Sequence, residues 1–329
     1  MILVTGANGA GKTNLLEGLH LGTQGFSPRA RSDVQMVRFG AEKARVRLAG
    51  SRAGRPLEVE ISLAPPESRR ARLNGSALRS AEELRSELQT LVFTPDRLAV
   101  VKGGPATRRA YLDRSLGRLF PSRLRLPTAY SAALGQRNAA LRRVAAGTSS
   151  REALAPWTTA VSELGTTLVE SRRETLALLG DRFESHAEQL GLPAARTGYD
   201  GDPPTEDELQ SRVERDLERG STGLGPHVHE IRIEAAGRDL RSFGSQGEQR
   251  IAVLALVLAE ADLIAERTGS APLVLLDDVL SELDGDRRLA LCDRIRDGGQ
   301  TLVTATAAAA LPVEPSQSLV VTPGRVRSR

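Results

Sequence analysis

At 329 residues, 40% hydrophobic and 26% charged, the chain has the composition of a soluble globular protein with room for two domains and a substantial core. Its single cysteine, Cys292, excludes an internal disulfide framework and makes a reducing cytoplasm the default, and no apolar run is long enough to cross a bilayer. The net charge of +4 leans towards anionic partners, but lysine is limited to Lys12, Lys43 and Lys102, so the arginine excess reads first as codon bias and only local clusters bear on nucleic acid.

The N-terminus opens directly into a strand, with no basic-then-apolar leader. That strand, 2–4, is short, apolar and β-branched, and it runs into Gly6-Ala7-Asn8-Gly9-Ala10-Gly11-Lys12-Thr13. This is the phosphate-loop pattern G-x-x-x-x-G-K-T without deviation, set between a strand and a helix as its chemistry requires. The glycines let the backbone wrap so that its amides form an anion nest. Lys12 would reach the β- and γ-phosphates of ATP, and Thr13 would offer its hydroxyl to Mg²⁺. From Asn14 to about His20 a helix presents its positive end to the phosphates.

A basic stretch follows, with Arg29, Arg31, Arg38, Lys43, Arg45 and Arg47. Alternation over 44–48 and 57–61 predicts an antiparallel hairpin turning at 50–54, and 69–73 adds another strand. From 108 to about 220 the apolar spacing turns helical, over 132–144 and 150–190, with 200–204 as a loop. Between 108 and 143 the basic residues Arg108, Arg109, Arg114, Arg118, Arg123, Arg125, Arg137, Arg142 and Arg143 face the single acid Asp113. Such a run is either a solvated face or a phosphate-binding surface. With only 3% aromatic residues, a base-stacking platform for single strands is disfavoured and duplex binding by charge and shape is preferred.

Near the C-terminus, Ser245-Gln246-Gly247-Glu248-Gln249 precedes an apolar helix over 251–264. Residues 273–276 read as a buried parallel strand ending on Asp277 and Asp278. Two carboxylates at a strand's C-terminal edge are costly without a cation, and the obvious one is Mg²⁺ carrying a nucleotide phosphate. Asp277 is therefore assigned as the Mg²⁺ ligand. The stretch 316–329 reads as a short basic tail. Because the phosphate loop and the acidic pair stand at opposite ends of the chain yet must share one nucleotide, a whole domain has to be inserted between the two halves of the site.

Taken alone, Ser245 is an ordinary helix N-cap. In order with the phosphate loop, the Asp277-Asp278 pair and Ser281-Glu282-Leu283-Asp284, the set resembles the signature, acidic strand and D-loop of ABC-type ATPases. That resemblance implies a P-loop lobe of mixed sheet and helices over 1–106 and 221–329, with an inserted helical arm over 107–220. It also implies a homodimer with two nucleotides in its seam, because each signature covers the γ-phosphate held by the other copy. Asp278 stands where most of the class has a water-orienting glutamate, and Thr304 falls where the class has a switch residue contacting the γ-phosphate.

The segment 91–113, LVFTPDRLAVVKGGPATRRAYLD, makes the resemblance narrower. Phe93, Pro95, Asp96, Leu98, Gly103, Pro105, Arg108, Arg109, Tyr111, Leu112 and Asp113 are similar to the pattern of the RecF family, with Arg97 where an acid is usual. Gln136-Arg137-Asn138, Gly225-Pro226-His227, SQGEQR and LLDDVLSELD extend the match over nearly the full length, although Val228-His229 replaces the usual Arg-Asp. The family carries about two strands before the phosphate loop, some of them near adenine and ribose; this chain starts at the strand itself, so an exposed sheet edge is expected. Membership would imply a slow, DNA-stimulated ATPase that binds gapped or junction duplex DNA, cooperates with RecR and RecO and helps load RecA in repair. The candidate DNA contacts are Arg29, Arg31, Arg45, Arg108, Arg109, Arg137, Arg142 and Arg143, lining a groove completed by dimerisation. Two other readings share the ATPase motifs: a membrane-transporter ATPase subunit, and an SMC-like ATPase outside repair.

Overall fold

Short aliphatic runs build the main sheet of the protein. The computed structural model describes residues 1–329 except 31, 53, 66–68 and 297, and only the backbone of Ser86 and Glu282. Two compact units result: Met1–Arg97 with Ile264–Arg329, and Leu98–Leu263.

In the first unit six strands pair in the order Arg325–Ser328, Gln317–Thr322, Ile2–Thr5, Thr301–Ala305, Leu273–Leu276 and Thr90–Phe93. All neighbours are parallel except the first pair. Strands buried on both faces read as unbroken apolar runs, and Leu3, Val4, Leu275, Leu276 and Val303 are accordingly at most 1% exposed. Each such side chain contributes roughly 1.5–3 kcal/mol by leaving water. The helix Lys12–Gln24 packs Leu16 onto this core. A second, antiparallel sheet is ordered Ala44–Arg52, Arg55–Leu63, Arg70–Leu73 and Ser76–Ala77. Its Val59, Ile61 and Leu63 are buried with Leu21, and the opposite face carries the charged residues of the alternation.

Two sequence expectations change here. The segment 316–329 is no tail: Leu319-Val320-Val321 and a Pro323-Gly324 turn fold it into the last two strands of the main sheet. The hairpin turn is also tighter than expected, because the strands extend through Gly50 to Arg52 and resume at Arg55.

The second unit is built on the helices Pro105–Leu119, Leu126–Ala145 and Ala155–Gln189, whose Leu116, Tyr130, Val161 and Leu168 share one core. A three-stranded antiparallel sheet, Ala195–Asp200, Glu230–Ala235 and Arg238–Asp239, belongs to it as well. Backbone pairing of 195–200 with 230–235 draws the residues after 220 into this unit, which runs from 98 to 263. Among the described residues no helix is long and apolar enough to cross a membrane.

Candidate nucleotide site

Strand direction brings the two ends of the chain together. Ile2–Thr5 and Leu273–Leu276 run parallel on either side of Thr301–Ala305, so the loop after Thr5 and the acids after Leu276 emerge at one C-terminal edge. Ligands bind at that edge in open α/β sheets. The Thr13 hydroxyl donates to Asp277 Oδ2 at 2.9 Å across 264 positions of sequence. The Lys12 ammonium, 9% exposed, donates to the carbonyls of Gly6 (2.7 Å) and Ala7 (3.1 Å), leaving its third proton for an anion. Gly6 cannot be replaced at this spot, because a Cβ would collide with the Val321 carbonyl.

Around these groups lies a cavity of about 370 Å³, lined by Asn8, Gly9, Gly11, Lys12, Thr13, Asn14, Arg29, Asp277, Asp278 and Thr304, all of the first unit. Arg29 was expected on a DNA surface. It reaches this cavity because the Ser27 hydroxyl, bound to Glu17 of the first helix, accepts from the Arg29 amide at 3.0 Å and fixes the turn.

Thr304 adjoins the two acids. It is fully buried, donates its one hydroxyl proton to Asp277 Oδ1 at 2.8 Å, and accepts from the Asp278 amide at 2.9 Å. It thereby ties the Asp277 carboxylate to the Asp278 backbone at the edge of the cavity. Asp278 is held with φ of 51°, a left-handed conformation that costs a non-glycine residue roughly 1–3 kcal/mol and that clusters at functional sites. Ser281 donates to its carbonyl at 3.0 Å. Asp284 accepts from the Arg287 amide at 2.9 Å and so caps the helix Gly285–Arg296.

In the second unit, Ser245 and Glu248 form a reciprocal cap on the helix Gln246–Thr268: Ser245 Oγ accepts from the Glu248 amide (3.2 Å) and Glu248 Oε2 from the Ser245 amide (2.7 Å). The Ser245 side chain is exposed and keeps its own proton for an anion; Gln246 is exposed and Gly247 partly so. Gln249 is buried and donates to the Leu240 carbonyl at 2.7 Å, which makes it a structural member of the signature and not a ligand-facing one.

The arginine run is largely structural. Arg108 is buried on Glu230 at 2.8 Å and on the carbonyls of Val101 and Gly103. Arg137 is 0% exposed and bonded to Asp216, Thr222, Thr158 and the Leu209 carbonyl, so neither it nor Arg108 can touch DNA. Arg109 donates to the His229 carbonyl. Arg142 and Arg143 are exposed; Arg31 lies outside the described residues. In the Gly225-Pro226-His227 turn, His227 accepts from the Tyr130 hydroxyl at Nδ1 and donates from Nε2 to the Thr222 carbonyl, a neutral tautomer that burial favours by lowering its pKa.

Sequence reasoning missed a second cavity, of about 540 Å³, on the charged face of the antiparallel sheet. Lys43, Arg45, Arg70 and Arg72 line it, against the single acid Glu60. It is the larger of the two but has no phosphate loop or acidic strand end. The alternation that buries Val46 and Ile61 puts Arg45, Ser62 and Arg70 in one cross-strand row, a signal that was readable.

A phosphate loop and an acidic strand end at one edge of this mixed sheet, with a capped signature in the second unit, define the head of an ABC-type ATPase. Residues 1–322 match the RecF/RecN/SMC N terminal domain. Curated proteins named DNA replication and repair protein RecF are similar throughout: that of Heliobacterium modesticaldum is 34% identical over 92% of this chain and 86% of its own length, and that of Limosilactobacillus fermentum 35% over the same shares. The chain belongs to the RecF family. A solved structure of the recombination mediator protein RecF with ATP, from the RecFOR pathway, superposes with a TM-score of 0.85 at 27% identity, covering 100% of this chain and 91% of that one. The Smc head domain of Pyrococcus furiosus shares the fold at a TM-score of 0.59 and 16% identity, over 100% of this chain and 89% of its own.

Proposed function

We propose that two copies of this chain trap Mg-ATP in their seam and, so joined, hold gapped or junction duplex DNA, acting in the cytoplasm with RecR and RecO to help load RecA. The observation that carries this reading is the half-built cavity: every residue lining it comes from the first unit, and the chain's one signature serine is exposed on the second. A second copy supplies the missing wall. The RecFOR pathway of the solved relative supports the partners, and the names of the curated relatives support the repair role. In functional terms 1–106 with 221–329 remains the ATPase lobe and 107–220 the arm.

Thr13 and Asp277 are the residues that would hold Mg²⁺. Their hard oxygens fit an ion that keeps several waters and takes its remaining ligands from phosphate, and among the described residues no group of three His, Cys, Asp or Glu side chains offers an alternative cage. Lys12 and Arg29 neutralise phosphate charge, and Asp278 orients the attacking water. Aspartate is one methylene shorter than the usual glutamate, which misplaces that water and slows turnover. Asp278→Asn is expected to bind ATP, to lose about 10²- to 10³-fold in hydrolysis, and to accumulate as dimer. Asparagine tolerates the left-handed φ, so the fold survives the change. Phosphate release at an unaltered rate would remove Asp278 from this role.

Sedimentation with and without ATP, repeated with gapped duplex, tests the whole. The mass should double with ATP and rise again with DNA; a monomer at saturating ATP rejects the reading. The DNA surface is the arginine-lined sheet face, since Arg45 is only loosely paired with Glu60 at 3.8 Å and 65% exposed. Duplex binding through phosphates has a log-affinity against log-salt slope of about −0.9 per contact. Arg45→Gln with Arg72→Gln should flatten that slope by about 2, and a slope left as it was would move the contact elsewhere.

A further inference from the structure

We propose that Phe243 supplies, across the seam, the aromatic face on which the nucleoside of the partner copy's ATP rests. The inference deepens the two-copy reading and depends on it: the ligand is a nucleoside triphosphate and the partner a second copy of this chain.

Phe243 is 69% exposed and stands two positions before Ser245. Single exposed apolar side chains are ordinary on protein surfaces, so what matters is that this one is held beside the signature. It is held. Asp239 caps the short helix Leu240–Phe243 by accepting from the Arg241 amide at 2.9 Å and the Ser242 hydroxyl at 3.4 Å. The Gly244 amide then donates to the Leu240 carbonyl at 3.2 Å, and Gln249 Nε2 donates to the same oxygen at 2.7 Å. Gly244 is required for this closure, because a Cβ there would lie 2.6 Å from that oxygen. The ring is thus presented from a braced turn, with its ordering cost met on folding and not on binding.

The cavity lacks what such a ring provides. Among the described residues its lining is glycine or polar, which suits phosphates and metal. Sites for small molecules are ordinarily lined mostly by apolar groups with a few placed polar ones. Reach fits the assignment: two residues of chain span at most about 7 Å, before the length of the ring is added. In a copy whose Ser245 meets the γ-phosphate, that reach is compatible with Phe243 meeting the nucleoside of the same nucleotide.

The test compares dimerisation of the full-length wild type, Phe243→Ala, Phe243→Tyr and Ser245→Arg by sedimentation with ATP and with UTP. Base stacking on an aromatic residue is worth about 5-fold at the low end of measured values, and the two seams are equivalent, so Phe243→Ala should weaken the ATP dimer about 25-fold. It should also erase the preference for the purine nucleotide, which a purely structural role would leave in place, and Phe243→Tyr should restore both. Wild-type dimerisation and base preference in Phe243→Ala, with Ser245→Arg monomeric, would overturn the role of Phe243 alone. Dimerisation of Ser245→Arg would overturn the two-copy reading itself, and the inference with it.

Discussion

Ser245→Arg is expected to remain monomeric at ATP concentrations that dimerise the wild type. The wild-type serine presents a free hydroxyl proton at the start of a 23-residue helix, where an anion is also favoured by the helix dipole. Arginine fills that space with a long side chain in both seams at once. ATP shifts the equilibrium towards the dimer only by the extra affinity it gains from the second copy's signature, and the mutant forfeits that gain in both seams. Loss of the reciprocal cap costs the monomer about 1 kcal/mol, too little to unfold it. The mutant should therefore retain its circular dichroism and ATP binding while its sedimentation no longer responds to nucleotide. An ATP-induced dimer of normal affinity would show that the signature is not at the seam.

The parts of the site that were readable in the sequence are those fixed by backbone chemistry over a few residues. The phosphate loop, the acidic strand end and the serine cap each carry their reason locally: glycines for a tight turn, apolar residues for a buried strand, a Ser-x-x-Glu spacing for a capping box. Parallel pairing through a third strand then brings Thr13 to Asp277, which follows from the fold class. What could not be read was where charged side chains find partners. The run from Arg108 to Arg143 lacks acids in its own stretch because they come from elsewhere: Glu230 for Arg108, Glu260 for Arg118, Glu174 for Arg123 and Asp216 for Arg137. A count of local charge cannot see such pairs. Nor does register alone say that the Thr304 hydroxyl is given to Asp277. The last two strands carried a signal that the basic-tail reading passed over: Pro323-Gly324 after the apolar Leu319-Val320-Val321 is a turn signal.

Arg137→Ala should destabilise the second unit by about 3–5 kcal/mol and leave the salt dependence of DNA binding untouched. The guanidinium is fully buried, 2.8 Å from Asp216 and 2.6 Å from the Thr222 hydroxyl, and Asp216 is itself 2% exposed while accepting from the Gly223 amide. Removing the cation leaves a carboxylate with no counter-charge in a site closed to water, and that penalty exceeds the worth of the pair. Set against a total of about 5–15 kcal/mol for a folded domain, the loss is large enough to shift urea unfolding of the helical signal well below that of the wild type. Replacing both partners, as Arg137→Met with Asp216→Leu, should recover most of the stability, because no unpaired charge remains. If Arg137→Ala unfolds with the wild type and instead flattens the salt slope by about 1, the arginine is a phosphate contact and not the centre of a buried ion pair.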